Sequence, residues 1–206
     1  MAAFFIYSMK PTPKRLEKLK KVIGQRQPNL TVILENINDK HNLAACLRSC
    51  DAVGVNEVYI LYHDEQPERK LGKNAAASAT KWLDIYRFYD VEELFTRLRS
   101  KDYKIFTTGL GEESQSLYNL NLTDNVALCF GNEHEGVSEE AIKLADGNFN
   151  IPQMGMIQSL NISVACAVSL YEALRQRTNA GMYSKKQFND SDYKVKLDEW
   201  CKKKKY

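Results

Sequence analysis

A chain of 206 residues, 44% apolar and 27% charged, is long enough for one domain with a sizeable core and too apolar to be a disordered chain. No apolar run reaches membrane-spanning length, and the opening MAAFFIYSMKPTPKR places its apolar patch ahead of its charges, the reverse of a secretory signal, so the expected location is the cytoplasm with no membrane partner. The net charge of +3 is unevenly spread: residues 10–27 carry +6 and residues 185–206 carry +4, which leaves −7 on the rest and suits a polyanion bound at the ends as well as two solvated helices.

In residues 13–26, Leu16, Leu19, Val22 and Ile23 recur at helical spacing and predict a short basic amphipathic helix that stops at Pro28 and Asn29. LTVILE (30–35) reads as a buried strand. Asp39 is the predicted cap of a helix from about Asn42 to Val53, with Gly54 just past its end. VYILY (58–62) is the next strand, and the polar, alanine-rich residues 64–80 read as a loop with a partial helix. LDIYRF (83–88) is a candidate strand, VEELFTRLRSK (91–101) an amphipathic helix, and YKIFTT (103–108) a strand that breaks at Gly109. NVALCFG (125–131) is an apolar strand running into a turn. Ser138 caps a predicted helix whose first turn holds Glu139 and Glu140, where carboxylates suit the helix dipole. NFNIP (148–152) is a short strand, and a long helix is expected from about Leu160 to Arg177. Residues 178–206 have no continuous apolar stripe and read as an extension that packs lightly.

Strands alternating with helices predict an α/β fold, a mostly parallel sheet with helices on both faces. Such sheets bind ligands beyond the carboxyl ends of their strands, where Gly109, Gly131 and Pro152 fall. The expected organisation is a basic helical extension at 1–28, a central domain at 29–177 and a basic extension at 178–206. Five scattered cysteines and three histidines show no paired ligand spacing, so free thiols and no metal are expected.

Three segments carry polar residues where a plain strand or helix would not want them. In NDKHNLAACLRSCDAVG (38–54), Asn42 and Arg48 lie six apart on a helix otherwise rich in Ala, Leu and Cys; Arg48 is either functional or paired with Asp51 or another carboxylate. In CFGNEHEGVS (129–138), a strand ends in Gly131 and Glu133 follows in a tight turn, which suits either close ligand approach or an ordinary turn with solvated acids. In IPQMGMIQSLNISVACAVSLYEALRQR (151–177), Ile151, Met154, Met156, Ile157 and Leu160 can line an apolar slot ahead of a helix that opens among small residues. No GxGxxG or GxxxxGK[ST] occurs, which argues against a Rossmann dinucleotide site and a P-loop.

Taken in order, the N-x5-R helix, the G-x-E strand end and the P-x6-SLNxSVA helix start resemble the three motifs of the SpoU/TrmH branch of the SPOUT methyltransferases over about residues 29–177. The resemblance implies a deep trefoil knot in the C-terminal part, a homodimer, and S-adenosylmethionine as the donor for methylating a ribose 2′-hydroxyl in RNA. Within the branch the chain is most similar to members that act on a D-loop guanosine of tRNA. By that resemblance Asn42, Arg48, Glu133, Ser159 and Asn161 are catalytic. The cofactor lies against Thr108, Gly109, Gly131, Ile151, Met156 and Leu160, with adenine in the apolar slot. RNA contacts come from Arg15, Lys18, Arg26, His41, Arg175 and Arg177, Lys18 standing where the family prefers arginine. Whether Arg48 removes the hydroxyl proton or stabilises the alkoxide while phosphate or water takes it stays open. The alternatives are a ribosomal-RNA 2′-O-methyltransferase of the same branch, disfavoured because only about 28 residues precede the first strand, and a non-catalytic RNA-binding module, which has no need of Asn42, Arg48 and Asn161 together.

Overall fold

The computed structural model describes residues 11–63, 79–109, 111 and 114–203. Among these residues seven strands form one sheet: β1 (Leu30–Glu35), β2 (Glu57–Leu61), β3 (Asp84–Phe88), β4 (Lys104–Thr108), β5 (Gln115–Ser116), β6 (Val126–Phe130) and β7 (Gly147–Asn150). Their order is β3-β2-β1-β6-β4-β7-β5, and every pairing is parallel. β1 lies at the centre, its Ile33 facing Tyr59 of β2 on one side and Cys129 of β6 on the other. All six of its residues are buried, the reason LTVILE reads as a nearly unbroken apolar run.

Among the described residues six α-helices complete the fold: α1 (Pro13–Gly24), α2 (Lys40–Val53), α3 (Val91–Arg99), α4 (Glu139–Leu144), α5 (Ile162–Asn179) and α6 (Asp190–Lys202). Leu30, Val32 and Leu34 point to the face covered by α2 and α5, with Leu43, Leu47, Cys166 and Leu170. Ile33, Ala127 and Cys129 point to the other face, under α3 and α4, with Leu94, Leu98 and Ala141. The caps stand where the sequence puts them: Asp39 accepts the His41 N–H at 2.8 Å, and Ser138 Oγ accepts the Ala141 N–H at 3.2 Å. The helix expected from about Leu160 to Arg177 is α5, capped by Asn161 through the Ser163 N–H at 2.9 Å and running on to Asn179. The short β5 and the 3-10 turns at Leu117–Asn119 and Met182–Ser184 had no periodic signal to announce them. Of the loop and partial helix expected at 64–80, residues 64–78 lie outside the described residues.

The C-terminal extension departs from the expectation that it packs lightly. Its helix α6 lies along α1 and buries Trp200 to 1% exposure beside Leu19 and Ile23. Trp82 tilts against Trp200 at 4.8 Å between ring centres, the Arg26 guanidinium sits over the same ring at 5.1 Å, and Tyr183 Oη donates to the Val53 carbonyl at 2.7 Å. Tyr193, Leu197, Trp200 and Cys201 do form a narrow seam, masked in the sequence by lysines. Lys196 lies within it, buried along its alkyl stem with its ammonium paired to Asp84. No helix among the described residues is long and apolar enough to cross a membrane.

Candidate active site

β4, β6 and β7 all finish at the same edge of the sheet, and a cleft of about 550 Å3 opens beyond their carboxyl ends. Thr108 and Gly109 line it after β4, Gly131 and Glu133 after β6, and Ile151, Ser159, Leu160 and Asn161 after β7. Three motif residues meet at its rim. Asn42 Nδ2 donates to Glu133 Oε1, and Asn42 Oδ1 accepts from Asn161 Nδ2 at 3.2 Å. Asn161 Oδ1 in turn accepts from the Ser163 N–H and hydroxyl. With an amide pinned at both ends, the first turn of α2, the loop after β6 and the start of α5 are joined across 91 and 119 residues of chain.

The loop after β6 is folded tightly on itself. Asn132 Oδ1 accepts the N–H groups of His134 and Glu135 at 2.9 and 2.8 Å, and Gly136 N–H returns to the Asn132 carbonyl at 3.0 Å. A Cβ on Gly131 would lie 1.9 Å from the Gly136 carbonyl atoms, so only glycine fits there. Residues 152–160 form no helix or strand and make no backbone hydrogen bond to another described residue, which leaves their N–H and C=O groups free for a ligand. Phe130 and Phe149, packed edge to face at 6.1 Å, back the cleft from within the core and are buried themselves. The volume and the free backbone groups fit a nucleoside-sized ligand.

Met156 does not line the cleft. Its side chain is 100% exposed, as Met154 is at 94% and Ile157 at 63%, because the irregular 152–160 segment turns them outward. Of the residues expected to form the slot, Ile151 and Leu160 do line the cleft. Arg48 stands apart too. Six residues beyond Asn42 it lies roughly 9 Å further along α2 and on another face. It is exposed, lies outside the cleft lining, and has no side-chain partner among the described residues. The pairing with Asp51 does not form, because Arg26 takes that carboxylate.

The residues expected to touch RNA divide. Arg26 is fully buried, donating to the Val55 carbonyl at 2.6 Å and to Asp51, so it ties α1 to α2 and is no phosphate ligand. Arg177 is also fully buried; it reaches Leu122, Gln27, Asn29 and Asp124 and locks the end of α5 to the starts of the strands. Burial pulls its guanidinium down to about 10, still charged at neutral pH. Both are RNA contacts that the resemblance implies, and burial overturns them. Lys18 and His41 are exposed, Arg175 is 61% exposed but forked onto Glu172, and Arg15 donates to the Lys203 carbonyl. Lys203 donates to the Lys81 carbonyl at 2.6 Å, just ahead of β3, so α1 and α6 flank the strand starts, opposite the cleft.

All five cysteines are free thiols, four of them buried. Cys46, Cys50 and Cys166 are buried between α2 and α5, where hydrogen bonding with the other two and burial push the Cys166 thiol well up. Burial, then the charge of Glu35, does the same for Cys129. No group of three His, Cys, Asp or Glu among the described residues is arranged to hold a metal ion.

A parallel sheet with a cleft at the strand ends, rimmed by residues from three separated motifs, defines an α/β enzyme class with a nucleoside-type ligand site. The profile of the SpoU rRNA methylase family matches residues 29–171, and the chain belongs to that family. A tRNA (guanosine(18)-2′-O)-methyltransferase from Thermus thermophilus is 40% identical over 194 residues, 93% of this chain and 98% of its own length. The enzyme of that name from Escherichia coli is 36% identical over 171 residues, 83% of this chain and 74% of its own. The crystal structure of the Aquifex aeolicus TrmH/SpoU tRNA modifying enzyme superposes with a TM-score of 0.85 at 35% identity, covering 91% of this chain and 95% of that one. SpoU methyltransferases take their methyl group from S-adenosylmethionine.

Proposed function

We propose that this protein methylates the 2′-hydroxyl of a guanosine ribose in the D-loop of tRNA, with S-adenosylmethionine as donor. The observation that carries this reading is the Asn42–Glu133–Asn161 constellation at the rim of the strand-end cleft, in a chain similar over most of its length to enzymes of that activity. Bound in the cleft, the cofactor supplies a methyl group already activated on a sulfonium. The protein then has to bind, orient and stabilise charge. Thr108, Gly109, Gly131, Ile151 and Leu160, which line the cleft, would hold the cofactor. Asn42, pinned by two partners, orients the ribose, and Glu133 acts by holding Asn42. Ser159, on the cleft wall, faces the reacting sugar. Arg48 stands outside the cleft lining of its own chain, so its part, stabilising charge on the 2′-oxygen while the proton passes to a substrate phosphate or water, requires that a second copy in the proposed homodimer present it to the cleft; a guanidinium is too rarely neutral to serve as base.

Arg15, Lys18, the exposed lysines of α1 and Arg175 would grip tRNA phosphates remote from the reacting ribose, with His41 nearer the motifs. Two further features belong to this proposal. One is a C-terminal trefoil knot, supported by the return of β6 between β1 and β4 and of β7 between β4 and β5. The other is a homodimer, supported by the exposure of Val164 at 45% and Tyr171 at 54% on α5. Incubation with tritiated S-adenosylmethionine and bulk RNA should label tRNA, and mapping should place 2′-O-methylguanosine in the D-loop. Label in ribosomal RNA alone would defeat the proposal.

A further inference from the structure

Glu35 breaks the apolar run of β1 at its last position, where a leucine would serve packing better. Its side chain is 1% exposed, on the face of the sheet covered by α4. A carboxylate taken out of water is costly unless each oxygen finds a partner, and both do. Oε1 lies 2.6 Å from His63 Nε2, and Oε2 accepts the Ser138 backbone N–H at 3.2 Å. The next residue, Asn36, reinforces the arrangement from a left-handed backbone at φ 53: its Oδ1 accepts the His63 N–H at 3.1 Å and its own N–H donates to the Leu61 carbonyl at 2.8 Å. Two consecutive residues thus hold His63, and His63 holds the carboxylate.

Ser138 closes the loop that begins at Gly131. That loop is therefore tied twice, once near its start by Glu133 to Asn42 and once at its end by Glu35. No step of the reaction as derived above employs Glu35 or His63. We propose that Glu35 is a positioning residue for the cofactor loop: its carboxylate fixes residues 131–138 against the cleft through the Ser138 N–H, and His63 keeps it aimed. The inference rests on the reading of the cleft as a site for S-adenosylmethionine.

Titration calorimetry of the full chain with S-adenosylhomocysteine tests it. Glu35→Ala should weaken binding about tenfold or more, the scale expected when a hydrogen bond to a buried charged group is lost. Glu35→Gln should recover most of that loss, since its amide oxygen can accept the Ser138 N–H and its nitrogen can donate to a neutral imidazole. Ser138 supplies a second test should Glu35→Ala fail to fold. Its φ of −61° is one that proline adopts, so Ser138→Pro removes the N–H at the φ already present, and Ser138→Ala controls for the lost hydroxyl cap. Proline should bind at least about fivefold more weakly than alanine. Wild-type affinity in Glu35→Ala, glutamine no better than alanine, or equal affinity in the two Ser138 variants would each overturn the inference while leaving the cleft reading intact. Absence of binding by the wild type would overturn both.

Discussion

Replacing Gly131 by alanine tests whether the loop after β6 is held by close backbone approach. The added methyl would meet the Gly136 carbonyl carbon and oxygen at 1.9 Å and the Val137 nitrogen at 2.2 Å, all rigid backbone. Reaching ordinary contact requires the 136–137 segment to retreat by roughly 1.5–2 Å. Such a movement breaks the Gly136 N–H bond to Asn132 and loosens the bonds from His134 and Glu135 to the Asn132 side chain. At about 1 kcal/mol per bond the cost is roughly 2–3 kcal/mol, or a fall in Tm of about 4–12 °C for a chain of this size. The cleft loses its floor at the same time, so S-adenosylhomocysteine affinity should drop at least about tenfold. Thermal unfolding and calorimetric titration read the two effects. Gly24→Ala is the control, since nothing lies within 4 Å of a Cβ there. Wild-type Tm and ligand affinity in Gly131→Ala would refute the reasoning.

Arg48→Ala should lower kcat by roughly 10²–10³-fold with little change in cofactor affinity, and Arg48→Lys separates charge from the planar fork; single-turnover kinetics with unchanged rates would return Arg48 to a structural role. Arg177→Met should cost stability, on the order of 3 kcal/mol because several carbonyls lose their donor, yet leave the salt dependence of tRNA binding unaltered, whereas Lys18→Ala should reduce that salt slope by about one; filter binding across salt concentrations checks both. Trp200→Ala should cost about 3–5 kcal/mol, measured by urea unfolding, and a near-neutral result would mean that α6 packs as lightly as its sequence suggests. The Arg175 guanidinium beside Glu172 holds that carboxyl below the usual range, so its stabilisation is present above the ordinary carboxylate pKa and is lost as pH falls through the lowered value. Glu172→Gln should therefore lower Tm at pH 7 and leave it nearly unchanged well below the lowered value.

Most of the layered architecture was legible before any coordinates, because period and punctuation are local. LTVILE, Asp39, Ser138 and Gly54 each declare a strand, a cap or a stop from their immediate neighbours, and parallel pairing follows from strands alternating with helices. The three motifs were legible as well, since polar residues in apolar runs stand out. What the sequence could not decide was which of them meet. Asn42, Glu133 and Asn161 come together only because β1, β6 and β7 finish at one edge of the sheet, an outcome of strand order that no local pattern encodes. The same holds for charge. Arg26 and Arg177 look like Arg15 in the sequence, yet two are buried and one is not, because burial depends on what the far parts of the chain lay over them. Trp200 likewise became core when α6 closed over α1, and Glu35 was buried when His63 and Ser138 met its oxygens. Local spacing determines elements, while partners more than a hundred residues away determine which side chains become core, anchor or site.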